Sequence, residues 1–222
     1  MKRKLEPELM EDPAQVKAYA EADFETPHND FIERLQNFIG QPGFNGTALD
    51  LGCGPGDITV RFSRAFPLCR IDAVDGSQAM IDYAESLPVS VRQRINFIHG
   101  RLPFIALPHY NYDIIFSNSL LHHLPDPQIL WQSIKTCAKP GARIAVMDLL
   151  RPHSIDEAQA FVDAYAAEEP EILRRDFYHS LLAAFTLPEI GLQLTEAGLK
   201  LDIEQISDRH VFIKGNIAQV FL

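Results

Sequence analysis

Three cysteines and no Cys-x-x-Cys pair leave little for a disulfide framework or a zinc ribbon in a chain of 222 residues. Cys53, Cys69 and Cys137 cannot all pair with one another, so a reducing, cytoplasmic setting is the simpler expectation. Long apolar runs are missing too: nothing approaches the roughly 18 residues of a membrane span. Residues 1–30 carry acids throughout and have no apolar h-region, so they do not read as a secretory signal. Positive charge is in short supply, with 20 Lys plus Arg against 30 Asp plus Glu and a net charge of −10. Beyond Lys2-Arg3-Lys4 and Arg174-Arg175 there is no basic cluster, so a phosphate backbone would be repelled and nucleic acid is not an expected partner. What is present is ordinary globular composition, 46% apolar and 23% charged, in a length that suits one domain.

The middle of the chain alternates short apolar runs with helical segments. Thr47–Leu51, Arg70–Asp75, Ile95–His99, Tyr112–Ser117 and Ala142–Asp148 read as strands. They are continuous apolar runs more than alternations, the mark of strands buried on both faces in a parallel sheet. Helices are expected from Asp57 to about Phe66, from a Ser77 cap to about Leu87, and from an Asp126 cap with Pro127 as first residue to a stop at Pro140-Gly141. Three more helices follow: from Ser154 to Tyr165, from Pro170 to about Phe185, and from Thr186 to Gly198. Leu201–Ile206 and His210–Ile213 form a closing antiparallel pair, and Pro13–Ala22 and Asp30–Ile39 read as N-terminal helices.

The chemistry concentrates in Leu49-Asp50-Leu51-Gly52-Cys53-Gly54-Pro55-Gly56. Glycines between a strand and a helix let a ligand approach the backbone, and the helix N-terminus favours a negative group. The G-x-G-x-G spacing is neither the dinucleotide fingerprint nor a phosphate loop, so no pyrophosphate cradle is specified. About 20 positions on, Asp75 closes the second strand, where a carboxylate can accept from both ribose hydroxyls. A ribose site without a phosphate loop suits a nucleoside such as S-adenosylmethionine.

These residues resemble the first two motifs of the class I S-adenosylmethionine-dependent methyltransferases. Tyr112-Asp113-Ile114-Ile115 and Ser119-Leu120-Leu121-His122-His123-Leu124 are similar to the fourth-strand region of its small-molecule members, and Pro140-Gly141-Ala142 and the closing hairpin also match. The resemblance covers about residues 44–215. It implies a Rossmann-like three-layer α/β/α sandwich: a seven-stranded, mostly parallel sheet with an antiparallel last strand, N-terminal helices, and a helical insertion before strand six. One domain spans 1–222, with an N-terminal helical lid (1–43), a cofactor core (44–150), a cap (151–200) and a C-terminal hairpin (201–222). The resemblance further implies S-adenosylmethionine as cofactor. Gly52, Gly54 and Gly56 would border its methionine part, with Asp50 and Cys53 in the same turn. Asp75 would hold the ribose, and Gly76 and Met80 would flank the adenine. Gly100, Arg101 and Leu102 follow strand three, where the family often has an acid for the adenine amine; Arg101 cannot accept from that amine. Asn118 would approach the methionine moiety.

Other candidates carry competing readings. His122 and His123 are the natural acid–base pair near neutral pH. Neighbours on a helix diverge, so one at most is expected to face a substrate, and packing or exposure is the rival role. His122 is the leading base, with His123, Tyr178 and Asp148 behind it. His122, His123 and Asp126 have no established ligand spacing, so no metal site is expected. Tyr19, Phe24 and His28 could close over cofactor and substrate or merely pack on the sheet. Arg151 could bind a substrate carboxylate or pair with a surface acid. Asp176 and Tyr178 lie where the cap would roof the pocket. The expected activity is in-line methyl transfer to a small-molecule acceptor; the alternative is a non-catalytic S-adenosylmethionine-binding regulatory or partner module. The acceptor and the oligomeric state have no signature in the sequence.

Overall fold

The structure is a computed structural model that describes residues 1–6, 9–40 and 43–218. Two helices, α1 (Pro13–Glu21) and α2 (Glu25–Ile39), precede β1 (Thr47–Leu51), α3 (Asp57–Ala65), β2 (Arg70–Asp75), α4 (Gln78–Ser86), α5 (Val89–Arg92), β3 (Ile95–His99) and β4 (Tyr112–Asn118). A 3₁₀ turn, Leu121–His123, leads to α6 (Gln128–Cys137) and β5 (Ala138–Leu149). Three helices follow, α7 (Ile155–Tyr165), α8 (Glu171–Ala183) and α9 (Leu187–Ala197), in the segment expected as a cap, and β6 (Asp202–Gln205) and β7 (His210–Asn216) close the sheet. The seven strands lie in the order β3-β2-β1-β4-β5-β7-β6. All pairings are parallel except those of β7, which runs antiparallel to both β5 and β6.

Burial on both faces follows from the apolar runs. Successive residues of β5 alternate between two cores: Ile144 and Val146 face Trp131 of α6 and Ile190 of α9, while Ala145 and Met147 face Phe31 of α2 and Phe62 of α3. That alternation makes the three-layer sandwich. Burying the Trp131 ring and its Leu and Ile neighbours contributes about 2 kcal/mol per side chain. Trp131 also donates through Nε1 to Gln193 Oε1 (3.1 Å), so its one polar atom is satisfied inside the core. No helix among the described residues is long and apolar enough to cross a membrane.

Several boundaries differ from the sequence expectations. The sixth α-helix ends at Cys137, not at Pro140-Gly141. Strand β5 already begins at Ala138, and its register against β4 shifts between Tyr112 and Ile114, so the Pro-Gly pair makes a bulge inside the strand. Gly141 adopts φ 82° there. The cap position of α6 is Pro127, one residue later than the expected Asp126, whose carboxylate accepts from Gln128 N (2.9 Å) just ahead of the helix. Helix α2 starts at Glu25, earlier than Asp30, because Asp23 Oδ1 accepts from Glu25 N (3.0 Å) and organises its first turn. Of the expected hairpin 201–222, residues 219–222 lie outside the described residues.

Candidate active site at the carboxyl edge of the sheet

The strand order reverses between β1 and β4, and a cavity of about 610 Å³ opens at their carboxyl ends, a size typical of small-molecule sites. Its floor is the turn after β1. Gly52, Gly54 and Gly56 adopt φ of 78°, 53° and 91°, a left-handed series that side chains resist. Gly52 and Cys53 both donate through their amides to Val74 O (2.8 and 2.9 Å), which ties the turn to β2. A Cβ on Gly52 would lie 2.9 Å from Leu120 Cβ, and one on Gly56 3.0 Å from the Phe97 ring. Gly56 thus serves the packing of α3 on the sheet and does not line the cavity, unlike Gly52, Cys53 and Gly54.

Asp75 joins the two motifs directly. Its Oδ2 accepts from Gly54 N and its Oδ1 from Ser77 N, both at 2.8 Å. An ionised carboxylate has about four lone-pair positions, so two remain for a ligand. Burial raises its pKa, against the pull of those two amides. Beneath it Asp50 is fully buried and accepts from Thr59 Oγ1 (2.6 Å); burial pushes its carboxyl up to about 7, with a smaller push from Asp75. Tyr19 closes the opposite wall, its ring 5.0 Å from Phe24, and burial followed by the nearby carboxylates raises its hydroxyl to about 12. At that pKa it stays a neutral donor through the physiological range.

The loop after β4 supplies the second wall. Asn118 Oδ1 is buried without a donor, and Ser119 holds a left-handed φ of 56°. Strain of this kind gathers at functional sites. The 3₁₀ turn that follows departs from the expected divergence of His122 and His123. Both rings line the cavity, 4.1 Å between centroids, and both are directed at the Glu6 carboxylate. His122 Nδ1 contacts Asp148 Oδ1 at 2.6 Å, and Asp148 Oδ2 accepts from Leu121 N (2.7 Å). Burial works against charge on His122, but Asp148 and then Glu6 outweigh it and raise its pKa. Asp148 is likewise held below the usual carboxylate range by His122 despite its own burial.

Of the expected site residues, the structure brings Tyr19, Asp50, Gly52, Cys53, Gly54, Asp75, Gly76, Met80, Asn118, His122 and His123 around one cavity. Gly100, Arg101 and Leu102 do not line it. Ile105 covers Gly100, and the Arg101 stem packs within 3.4 Å of the Gly76 Cβ position. Tyr178 also stays outside; it packs on the Leu149 and Ala158 cluster, whereas its neighbours Asp176, Phe177 and Ser180 reach the cavity. Arg151 is buried against Glu189 (2.6 Å) and Ala184 O, the pairing role. Three participants were not legible beforehand: Ser119, Ser180 and Glu6. Glu6 Oε2 lies 2.9 Å from His123 Nδ1 and 3.8 Å from His122 Nε2, so the three offer ligating atoms within 4.8 Å of one another. Nothing in the spacing of residues so far apart in sequence signals that meeting.

Residues 49–144 match the family model described as a methyltransferase domain. Trans-aconitate 2-methyltransferase of Enterobacter sp. (strain 638) is 30% identical over 73% of this chain and 60% of its own length. Malonyl-[acyl-carrier protein] O-methyltransferase of Hahella chejuensis is 30% identical over 60% of this chain and 49% of its own. The chain therefore spans about half the length of these curated relatives. Among solved structures, a SAM-dependent methyltransferase from Aquifex aeolicus superposes with a TM-score of 0.72 at 20% identity, covering 93% of this chain and 99% of that one, which establishes the shared fold. The turn, the acid after β2 and the strand order are those of a class, the class I S-adenosylmethionine-dependent methyltransferases, and the matched residues 49–144 and the shared fold point to it. S-adenosylmethionine is the cofactor of that class. The residues present fit it. Asp75 has unused acceptor positions and a charge that suits a sulfonium, and Asn118 Oδ1 needs a donor such as an ammonium.

Proposed function

We propose that the chain transfers a methyl group from S-adenosylmethionine to a small-molecule acceptor. The single observation that carries the reading is the Asp75 carboxylate, tied to Gly54 and Ser77 amides beside the turn yet with acceptor capacity left. A relative whose name gives trans-aconitate as substrate supports a small acceptor. The acidic surface, net charge −10, argues against a nucleic acid. Three buried, unpaired thiols suit a cytoplasmic enzyme.

The bound cofactor supplies an electrophilic methyl on a cationic sulfur. The chain's own residues orient, desolvate and hold protons. The left-handed glycines would let the ligand lie against the backbone, and the N-terminus of α3 would favour its carboxylate. Asp75 would hold the ribose, and Met80 and Gly76 would border the adenine. Tyr19 and Phe24 of the N-terminal segment exclude water, which keeps the near-attack geometry dry. His122, held by Asp148 through Nδ1, presents Nε2 to the acceptor side, where it takes or keeps a proton as the acceptor requires. Tyr178 is not carried forward as a catalytic residue, since its ring packs in the cap.

A second reading, a non-catalytic cofactor-binding module, is favoured by one observation: Glu6 lies on the two histidines and occupies the acceptor side. Incubating the protein with a metabolite extract and methyl-deuterated S-adenosylmethionine separates the two. A labelled product seen by mass spectrometry supports transfer; cofactor binding with no labelled product in any extract would leave the module.

A further inference from the structure

The first residues of the chain run across the acceptor side as an irregular strap. The Met1 amine donates to His153 O (3.3 Å). Arg3 donates to Ala183 O (2.5 Å), His122 O (2.8 Å) and Leu124 O (2.9 Å), and its guanidinium sits 3.9 Å from the centre of the Phe185 ring. Lys4 N donates to Leu182 O (2.9 Å). These contacts set the strap on the His122 turn and on the end of α8, and they swing Glu6 inward. Its side chain is only 9% exposed.

The Glu6 carboxylate then meets donors from two unrelated elements. His123 Nδ1 lies at 2.9 Å, His122 Nε2 at 3.8 Å, and Ser180 Oγ donates from 3.2 Å to each oxygen. These three groups have no other hydrogen-bond acceptor among the described residues, so removing Glu6 would leave them bare in a desolvated recess. Burial alone would neutralise a carboxylate here, yet His123, His122 and Ser180 hold the Glu6 pKa below its ordinary value. The groups facing the recess are Asp148 from β5, Ser180 and Asp176 from α8, Arg3 and Glu6 from the strap, and the two histidines. Asp148 is already matched to His122 and Leu121, and Asp176 accepts from Gln15 Nε2 (2.6 Å), so neither competes for the donors. The recess is a built anion seat, and it belongs to the cavity that His122, His123 and Ser180 line together with the glycine turn. Glu6 fills it from a segment without secondary structure, held by main-chain contacts.

We propose that this recess is the anchoring site for a carboxylate of the methyl acceptor, and that Glu6 is an internal stand-in which the acceptor displaces. The inference rests on the methyl-transfer reading and names the acceptor class as a small carboxylic acid. It also accounts for the filled acceptor side without a loss of catalysis: the strap swings out as the acid enters.

The test uses the full chain saturated with S-adenosylhomocysteine, with succinate, glutarate and tricarballylate as probes and succinamide as the uncharged control, followed by titration calorimetry. Glu6→Ala is expected to bind at least one of the acids ten-fold or more tighter than the native chain and to ignore succinamide. Adding His123→Ala to Glu6→Ala is expected to remove the gain. Glu6→Gln, which keeps the shape of the strap, is expected to show a smaller gain in the same direction. If Glu6→Ala and Glu6→Gln bind S-adenosylhomocysteine normally but none of the acids better than the native chain does, the anchoring proposal is overturned and methyl transfer stands. If the native chain fails to bind S-adenosylhomocysteine at all, the methyl-transfer reading falls and this inference with it.

Discussion

The two walls of the cavity, the proposed cofactor wall and the proposed acceptor wall, are built on different principles. The cofactor wall comes from contiguous pieces of β1, β2 and the turns that follow them, and its key distances are set by backbone: Gly52 and Cys53 to Val74, Gly54 and Ser77 to Asp75. The acceptor wall is assembled by side chains from opposite ends of the chain, such as Glu6 with Ser180 and Arg3 with Ala183. Backbone geometry leaves a trace in the sequence, because only glycine accepts it; a meeting of distant side chains leaves none.

The largest contrast is expected from Gly52→Val. It forces a β-branched residue into φ 78° and drives a Cβ to within 2.9 Å of Leu120. A loss on the order of 3 kcal/mol in folding stability is expected from strain and overpacking together, with S-adenosylhomocysteine affinity lost. A denaturant melt and calorimetry would check both, and a stable variant with native affinity would erase the contrast. On the acceptor wall, Asp148→Asn removes the counter-charge of a fully buried histidine. Asparagine keeps an acceptor for His122 Nδ1, so the expected cost is about 2 kcal/mol, below that of losing the partner outright, and the pKa of His122, followed by NMR, should fall. The pair's contribution has two limits. Asp148, depressed in the fold, contributes fully above its ordinary value and loses that as pH falls through its folded pKa. His122, raised in the fold, contributes fully below about pH 6.5 and loses that as pH rises through its folded pKa.

How much could be read beforehand follows the same division. The strands, the glycine turn and Asp75 were legible because each obeys a local rule: apolar runs, positive φ, a carboxylate at a strand end. Pro140-Gly141 was misread as a helix stop because the same dipeptide also makes a bulge. His122 and His123 were expected to diverge because neighbours on a helix point apart; their common direction toward Glu6 depends on a residue far back in the chain, which no local rule signals. Lys2-Arg3-Lys4 stood out only as charge, while the function of Arg3 as an anchor, and of Glu6 beyond it, depends on Ala183, His122 and Ser180 far along the chain. The placement of Gly100 and Arg101 is a loop matter: Ile105 folds back over Gly100, and no periodic pattern encodes that.

Smaller effects sharpen the comparison further. Asp50 is raised from 3.8 to about 7 by burial, so its folded pKa lies above the unfolded one. Its neutral form is favoured in the fold; that stability is complete below about pH 4 and lost as pH climbs through 7. Asp50→Asn, which keeps an acceptor for Thr59, should therefore raise the melting temperature at pH 8 and leave it unchanged near pH 4; the opposite ordering would show that Asp50 is ionised at little cost. The smallest expected change is Ser119→Gly, which relieves a left-handed φ of 56° and should stabilise the fold by about 0.5–1 kcal/mol in a thermal melt. No gain there would mean that the loop is not strained.

The claim that organises the rest is that the first glycine turn and Asp75 grip the cofactor independently of the acceptor wall. Titration calorimetry with S-adenosylhomocysteine on the native chain, Asp75→Ala and His123→Ala addresses it directly. Losing two hydrogen bonds to a charged group, at about 1.5–3 kcal/mol each, predicts at least a ~100-fold weaker affinity for Asp75→Ala. For His123→Ala the affinity should stay within about three-fold of native, a change under ~1 kcal/mol. Equal affinities for the native chain and a folded Asp75→Ala would contradict the account.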